Sequence, residues 1–236
     1  MIGMTFENMT IGYRLGRNKA KVIASGLSAT LESGQLTCLL GRNGVGKSTL
    51  LRTLAGLQEE LHPLNEERGA RCKVQGLKEK SKVAVVLTEP LDVKNMTVEE
   101  VVGLGRTPYT NFWGTLKEED KAVVAESLRQ VGILSLARHE IGLLSDGERQ
   151  KVMIAKALAQ QTPIIILDEP TAFLDYPSKH EVMALLQLLA HEHGKTILLS
   201  THDVELAEQY ADQIWFMDEN RLITGSVHEL RIRERF

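Results

Sequence analysis

Three short stretches carry residue types that can act on a phosphate. Gly41-Arg42-Asn43-Gly44-Val45-Gly46-Lys47-Ser48-Thr49 matches the glycine-rich phosphate loop with its Gly-Lys-Ser ending in full. Its glycines let successive backbone N–H groups converge on phosphate oxygens, and a helix beginning there adds its partial positive charge. Gly41, Asn43, Gly44, Gly46 and Thr49 would cradle the phosphates. Lys47 would contact the β- and γ-phosphates, and the Ser48 hydroxyl would ligate Mg²⁺. The second stretch, Ile164 to Glu169, is an apolar run ending in the adjacent carboxylates Asp168 and Glu169. Such a strand delivers its acids to the carboxyl rim of an open sheet, where ligands bind. Asp168 would hold Mg²⁺ through water, and Glu169 would activate the attacking water. The third, Ser200-Thr201-His202-Asp203, closes another apolar run with a histidine. Alone, each has a plainer reading: a glycine turn, a surface acidic pair, a polar strand end.

These groups need strands that end beneath them and helices that begin above. Leu36–Leu40 reads as a buried strand leading into the loop. Lys47–Leu57 reads as a helix with Leu50, Leu51, Leu54 and Leu57 on one side and Gly56 near its end. Upstream, Met4–Ile11 and Val22–Leu31 alternate as strands, and Glu32-Ser33-Gly34 turns the chain. The polar stretch 58–80, broken by Pro63, Gly69 and Gly76, reads as surface loops with short strands, and Lys82–Leu87 as a strand. From Thr97 to Gln160 the pattern is helical: Val98–Leu104, Lys117–Leu134 with the stripe Val124, Leu128 and Val131, and Asp146–Ala159. Alternation then returns. Ile164–Leu167 and Lys195–Ser200 are strands, and Ser178–His193 is a helix closed by Gly194. Asp203 caps a helix to Tyr210, and Gln213–Met217 pairs with Arg221–Thr224 across Asp218-Glu219-Asn220. The expected architecture is α/β with an all-helical insertion. Residues 1–88 and 161–236 would form the core and its β subdomain, and residues 89–160 the helical part.

Composition agrees. The 236 residues are 43% hydrophobic and 25% charged, ordinary for a globular chain long enough to bury a full core. A net charge of -3 offers no basic footprint for nucleic acid or an anionic membrane. Cys38 and Cys72 lie in no metal-ligand spacing and make no disulfide framework, so a reduced, cytosolic protein is expected. No secretion signal opens the chain, and no run approaches the roughly 18 apolar residues of a membrane span. Service to a membrane would require docking on another chain.

The phosphate loop and acidic pair fit many P-loop NTPases. Leu144-Ser145-Asp146-Gly147-Glu148-Arg149-Gln150, at a helix start shortly before Asp168, narrows the field. It resembles the signature of ABC ATPases, usually written LSGGQ. Leu174-Asp175 follows Glu169 as that family's D-loop does, His202 stands where its H-loop histidine contacts the γ-phosphate, and Tyr13 stands where an aromatic stacks on adenine. The resemblance spans essentially the whole chain. It implies an ATPase with a RecA-like core, an antiparallel β subdomain and an inserted helical subdomain, binding ATP and Mg²⁺. It also implies a homodimer in which Ser145, Gly147 and Glu148 meet the nucleotide held by the other subunit's P-loop. ATP-driven closure would then move a permease. A helix N-terminus with small residues is itself a natural anion site.

Two positions depart from the family pattern. Asp146 replaces a usual glycine and should point away from the nucleotide, where it can also cap the helix. Thr88 stands where a Q-loop glutamine is usual, and its hydroxyl would meet the metal through a water. The segment 97–114, TVEEVVGLGRTPYTNFWG, looks like ATPase subunits of importers for iron–siderophore, haem and cobalamin complexes. There it would help receive the permease's coupling helix at the cytoplasmic face of the inner membrane, with no direct contact to cargo. The plainer alternative makes Tyr109, Phe112 and Trp113 core residues. An iron–sulfur cluster assembly ATPase and an exporter subunit stay open as rivals. Residues 50–144 leave no room for a long coiled coil of the chromosome-maintenance kind, and the single P-loop argues against a translation factor with two such domains.

Overall fold

Leu36–Leu40 (β3), Ile164–Leu167 (β6) and Thr196–Ser200 (β7) are buried at every position, which is why they read as continuous apolar runs rather than alternating ones. A computed structural model describes residues 3–16, 19–61, 73–74, 83–87 and 95–230. Cys72, Lys82, Thr88 and most of the 58–80 stretch lie outside the described residues. Among the described residues the central sheet has six strands. Val83–Val86 (β5), β6, β7, β3 and Gln213–Asp218 (β8) run parallel in that spatial order, and Arg221–Gly225 (β9) adds an antiparallel edge.

The pleat divides the core. Leu39, Ile164, Ile166, Leu198, Trp215 and Met217 face one side. There they meet Met4–Gly16 (β1), Lys19–Leu31 (β2) and the first helix, Lys47–Leu54 (α1). Cys38, Leu40, Ile165, Leu167, Ile197 and Leu199 face the other, under the remaining helices. β1 pairs antiparallel with β2 and with the short Lys73–Val74 (β4), making a separate sheet of three strands among the described residues. Trp215 is fully buried and meets Phe6 edge-on, ring centroids 5.7 Å apart, so it joins the two sheets. Trp215→Ala should cost about 3–5 kcal/mol of stability, read as a lower urea midpoint at unchanged slope. A cost under ~1 kcal/mol would mean that this contact is not central to the core.

The helical block holds Val98–Gly103 (α2), Glu118–Gln130 (α3) and Asp146–Ala159 (α4), which pack on one another and on the sheet. Tyr176–His191 (α5), Val204–Tyr210 (α6) and the short Val227–Leu230 (α7) are the remaining α-helices among the described residues.

Several ends differ from the sequence expectation, each for a local reason. β1 runs on to Gly16 and β2 starts at Lys19, because the outer end of that hairpin is exposed and loses its alternating face. α1 stops at Leu54, and Leu57 is exposed rather than part of the stripe. α3 ends at Gln130, with Gly132 (φ 76°) turning the chain just beyond. α5 starts two residues earlier than expected, capped by Asp175 with Pro177 tolerated in the first turn. The β8–β9 turn is the pair Glu219-Asn220, with Asn220 at φ 66° and Asp218 opposite Arg221. Cys38 is a free thiol whose ionisation is pushed up by burial, so it is chemically quiet.

Candidate functional site

The loop between β3 and α1 leaves the middle of the parallel sheet, and β6 and β7 end beside it. Gly44 (φ 80°) and Gly46 (φ 115°) hold left-handed backbone, and a Cβ on Gly46 would lie 2.6 Å from Ile23 Cγ2. Only glycine fits Gly46, which fixes the loop's curve.

Lys47 is buried, and its ammonium donates to the carbonyl oxygens of Gly41 (2.7 Å) and Arg42 (3.2 Å). Burial pulls its ionisation down, while Glu169 and Asp168 nearby push it partly back. The loop and its surroundings enclose a cleft of about 290 Å³, lined by Tyr13, Ile23, Asn43, Gly44, Gly46, Lys47, Ser48, Thr49 and Glu169. Tyr13 sits at its edge with its hydroxyl 2.8 Å from Thr49 Oγ1, a tether the sequence did not suggest.

A chain of hydrogen bonds ties the loop to the acidic pair. Ser48 Oγ donates to Asp168 Oδ1 (3.0 Å), Ser200 Oγ donates to the same oxygen (2.7 Å), and Glu169 N–H donates to Ser200 Oγ (2.9 Å). Ser200 had no role in the sequence reading. Its only signal was a hydroxyl ending an otherwise apolar strand. Glu169 holds φ 47°, a left-handed conformation unusual for a residue with a side chain, and its carboxylate is partly exposed in the cleft. Such strain persists where the surroundings over-determine it, and it gathers at functional sites. His202 Nδ1 lies 3.9 Å from Glu169 Oε2. Carboxylate, hydroxyl and ammonium thus converge on one cleft from three strand ends. Thr88, expected to reach the metal, lies outside the described residues.

The ABC transporter family model matches residues 24–172. An uncharacterized ABC transporter ATP-binding protein of Methanocaldococcus jannaschii is 40% identical over 220 residues, 92% of this chain and 73% of that one. The iron(3+)-hydroxamate import ATP-binding protein of Bacillus subtilis is 34% identical over 212 residues, 89% of this chain and 77% of its own. A dimeric ATP-binding cassette solved in a post-hydrolysis state with ADP and phosphate superposes at a TM-score of 0.73. It is 25% identical and covers 95% of this chain and 98% of that one. The chain belongs to the ABC transporter ATPases.

In this ABC ATPase the signature does not line the cleft of its own chain. Ser145 caps α4 in a reciprocal box: its Oγ accepts from Glu148 N–H (3.3 Å) and donates to Glu148 Oε2 (2.7 Å), while Ser145 N–H donates to the same carboxylate oxygen (2.9 Å). Those donors hold the Glu148 carboxyl below the usual range. The cap is therefore Ser145 and not Asp146, correcting the capping role considered for Asp146. Asp146 instead pairs with Arg149 at 2.5 Å on the exposed first turn. Gly147 leaves room for α5, since a Cβ there would lie 3.0 Å from Ser178 Oγ.

The ABC ATPase exposes apolar side chains at Leu143, just before the signature, and at Phe173 (88% exposed, φ 65°) and Tyr176, which flank Leu174-Asp175 in the chain. Farther along, Phe112 and Trp113 are 95% and 84% exposed and Tyr109 is half exposed, so the reading of these aromatics as core residues falls. Among the described residues, no helix is long and apolar enough to cross a membrane.

Proposed function

We propose that this ABC ATPase powers an importer of metal chelates of the iron–siderophore, haem or cobalamin type. It works as a pair of copies bound peripherally to a permease at the cytoplasmic face of the cell membrane. The observation that carries the paired arrangement is the separation just described: one chain supplies a cleft with ammonium, hydroxyl and carboxylates, while its signature lies outside that cleft, just after the exposed Leu143. A second copy related by a two-fold would bring each signature to the other's cleft. The 34% identity to an iron(3+)-hydroxamate import subunit supports the importer class. The division into a core of 1–88 and 161–236 with a helical part of 89–160 belongs to the same reading.

Within the cleft, Lys47 meets the β- and γ-phosphates, and Gly41, Asn43, Gly44, Gly46 and Thr49 present the loop to them. Tyr13, held by Thr49, offers its ring to adenine. Ser48 Oγ and Asp168 Oδ1 are hard oxygen donors 3.0 Å apart, a set that fits Mg²⁺ completed by water and phosphate rather than by a protein cage. That ion, with Thr88 as a further contact through water, would neutralise phosphate charge. Glu169 takes the proton of the attacking water, and His202 sits beside it to orient that water. Ser145, Gly147 and the first turn of α4 face the γ-phosphate from the partner subunit. For the Ser145 hydroxyl to donate there, it must exchange its Glu148 acceptor for a phosphate oxygen.

The test is recovery of tagged Glu169→Gln chain from gently solubilised native membranes in Mg-ATP, with mass spectrometry of what accompanies it. A many-spanned permease in one-to-one ratio is expected. Recovery with soluble partners alone, and absence from membranes, would make the iron–sulfur cluster assembly type of ATPase the better account.

A further inference from the structure

The Gly105-Arg106 pair lies in a 3₁₀ segment, Leu104–Tyr109, that follows α2. A Cβ on Gly105 would lie 2.3 Å from the Lys156 carbonyl oxygen and 3.1 Å from Ala159 Cβ, so this backbone rests directly on the last turn of α4. Arg106 is buried there. Its Nη1 donates to the Ala159 carbonyl (2.8 Å) and to Gln161 Oε1 (2.7 Å), and its Nε donates to Asp120 Oδ1 (3.0 Å). The Tyr109 ring covers the guanidinium at 3.9 Å, and the Tyr109 hydroxyl donates to the Gln160 carbonyl. Asp120 in turn accepts from Lys117 N–H at the start of α3.

One guanidinium therefore joins the C-terminal end of α4, where cations are favoured, to the N-terminal end of α3, where carboxylates are. Burying such a pair adds little net stability, and its best-attested use is to fix one geometry among several. The planar fork, with donors set in fixed directions, suits that use better than a flexible ammonium. The helix it fixes is the one whose opposite end carries Ser145 and Gly147.

We infer that Arg106 is a positioning residue of the hydrolytic cycle. It clamps the C-terminal end of α4 to α3 and to the 3₁₀ segment, and so sets the angle at which the signature meets the nucleotide held by the partner subunit. This rests on the paired reading above. Arg106 touches no phosphate in this reading, so ATP binding by a single chain should not depend on it. Dimer closure and turnover should.

The experiment compares Arg106→Lys and Arg106→Gln with the native residue, at a temperature where far-ultraviolet circular dichroism shows every variant folded. Three readouts are taken: Mg-ATP binding to the monomer by fluorescence, the protein concentration needed for ATP-dependent dimerisation in a Glu169→Gln background, and the hydrolysis rate. Monomer binding should stay within about twofold, while Arg106→Gln raises the dimerisation concentration about tenfold and lowers turnover by a similar factor. Arg106→Lys should fall between. If Arg106→Gln does not fold, Gln161→Ala, which removes one exposed acceptor of the clamp, is judged by the same criterion with a smaller expected shift. Native dimerisation and turnover in the folded variant would overturn the inference, as would a loss of monomer ATP binding in proportion to turnover. Failure of the native-Arg106 chain to dimerise would instead remove the paired reading itself.

Discussion

Glu169→Gln should leave ATP binding at the native level and lower hydrolysis by about 10²–10⁴-fold, the usual contribution of a positioned general base. The amide has the shape of the carboxylate but takes no proton at neutral pH. The backbone that aims it is held independently, because Glu169 N–H donates to Ser200 Oγ and that hydroxyl is anchored on Asp168. The unusual φ of 47° should survive the substitution, and the loss should be chemical rather than structural. Because the phosphate contacts remain, the ATP-bound dimer should outlast the native one and run as a dimer on size exclusion in Mg-ATP. Ser200→Ala offers the contrast. It frees the Glu169 amide and removes one donor from Asp168, so binding and turnover should fall together. Turnover within about threefold of native in Glu169→Gln would assign the proton transfer to another group.

How much of this was legible beforehand differs by the kind of signal. The phosphate loop was readable because its glycines answer to backbone geometry alone, and Gly46 has no space for a side chain. The parallel strands were readable because burial on both faces leaves nothing but apolar residues to choose. α4 was placed from Asp146 to Ala159 as found, and the box of Ser145 and Glu148 that starts it emerged only in the structure, although its spacing is one a sequence can show. The cap's identity emerged with it, since Asp146 is an equally acceptable capping type and only coordinates show which oxygen accepts. The Tyr13–Thr49 tether and the Ser200 bridge join residues 36 and 32 positions apart, across separate strands and helices, and no local pattern announces them. Arg106 shows the limit most clearly. The sequence marked its segment as a sign of the membrane partner, yet the guanidinium is buried in the helical block, and the exposed aromatics beside it are what a partner could touch.

Two chains that are each inactive should become active on mixing. Lys47→Ala removes the ammonium from the cleft, and Ser145→Arg places a long cation at the exposed start of α4, where the fold has room for it. If each ATP site joins the P-loop of one copy to the signature of the other, either change alone disables both sites of its homodimer. In a heterodimer the two lesions fall in one site, and the other joins a native P-loop to a native signature. Random pairing makes half of the dimers mixed, each with one intact site, so an equimolar mixture should reach about one quarter of native hydrolysis when the sites act independently. A site completed within a single chain predicts something different. Both variants would then carry a broken site wherever they pair, and the mixture would stay as inactive as its parts. The assay needs only the two purified chains, Mg-ATP and a phosphate release measurement. Its two outcomes separate because the signature stands outside its own cleft: no repacking of one chain would rescue a lesion in that same chain.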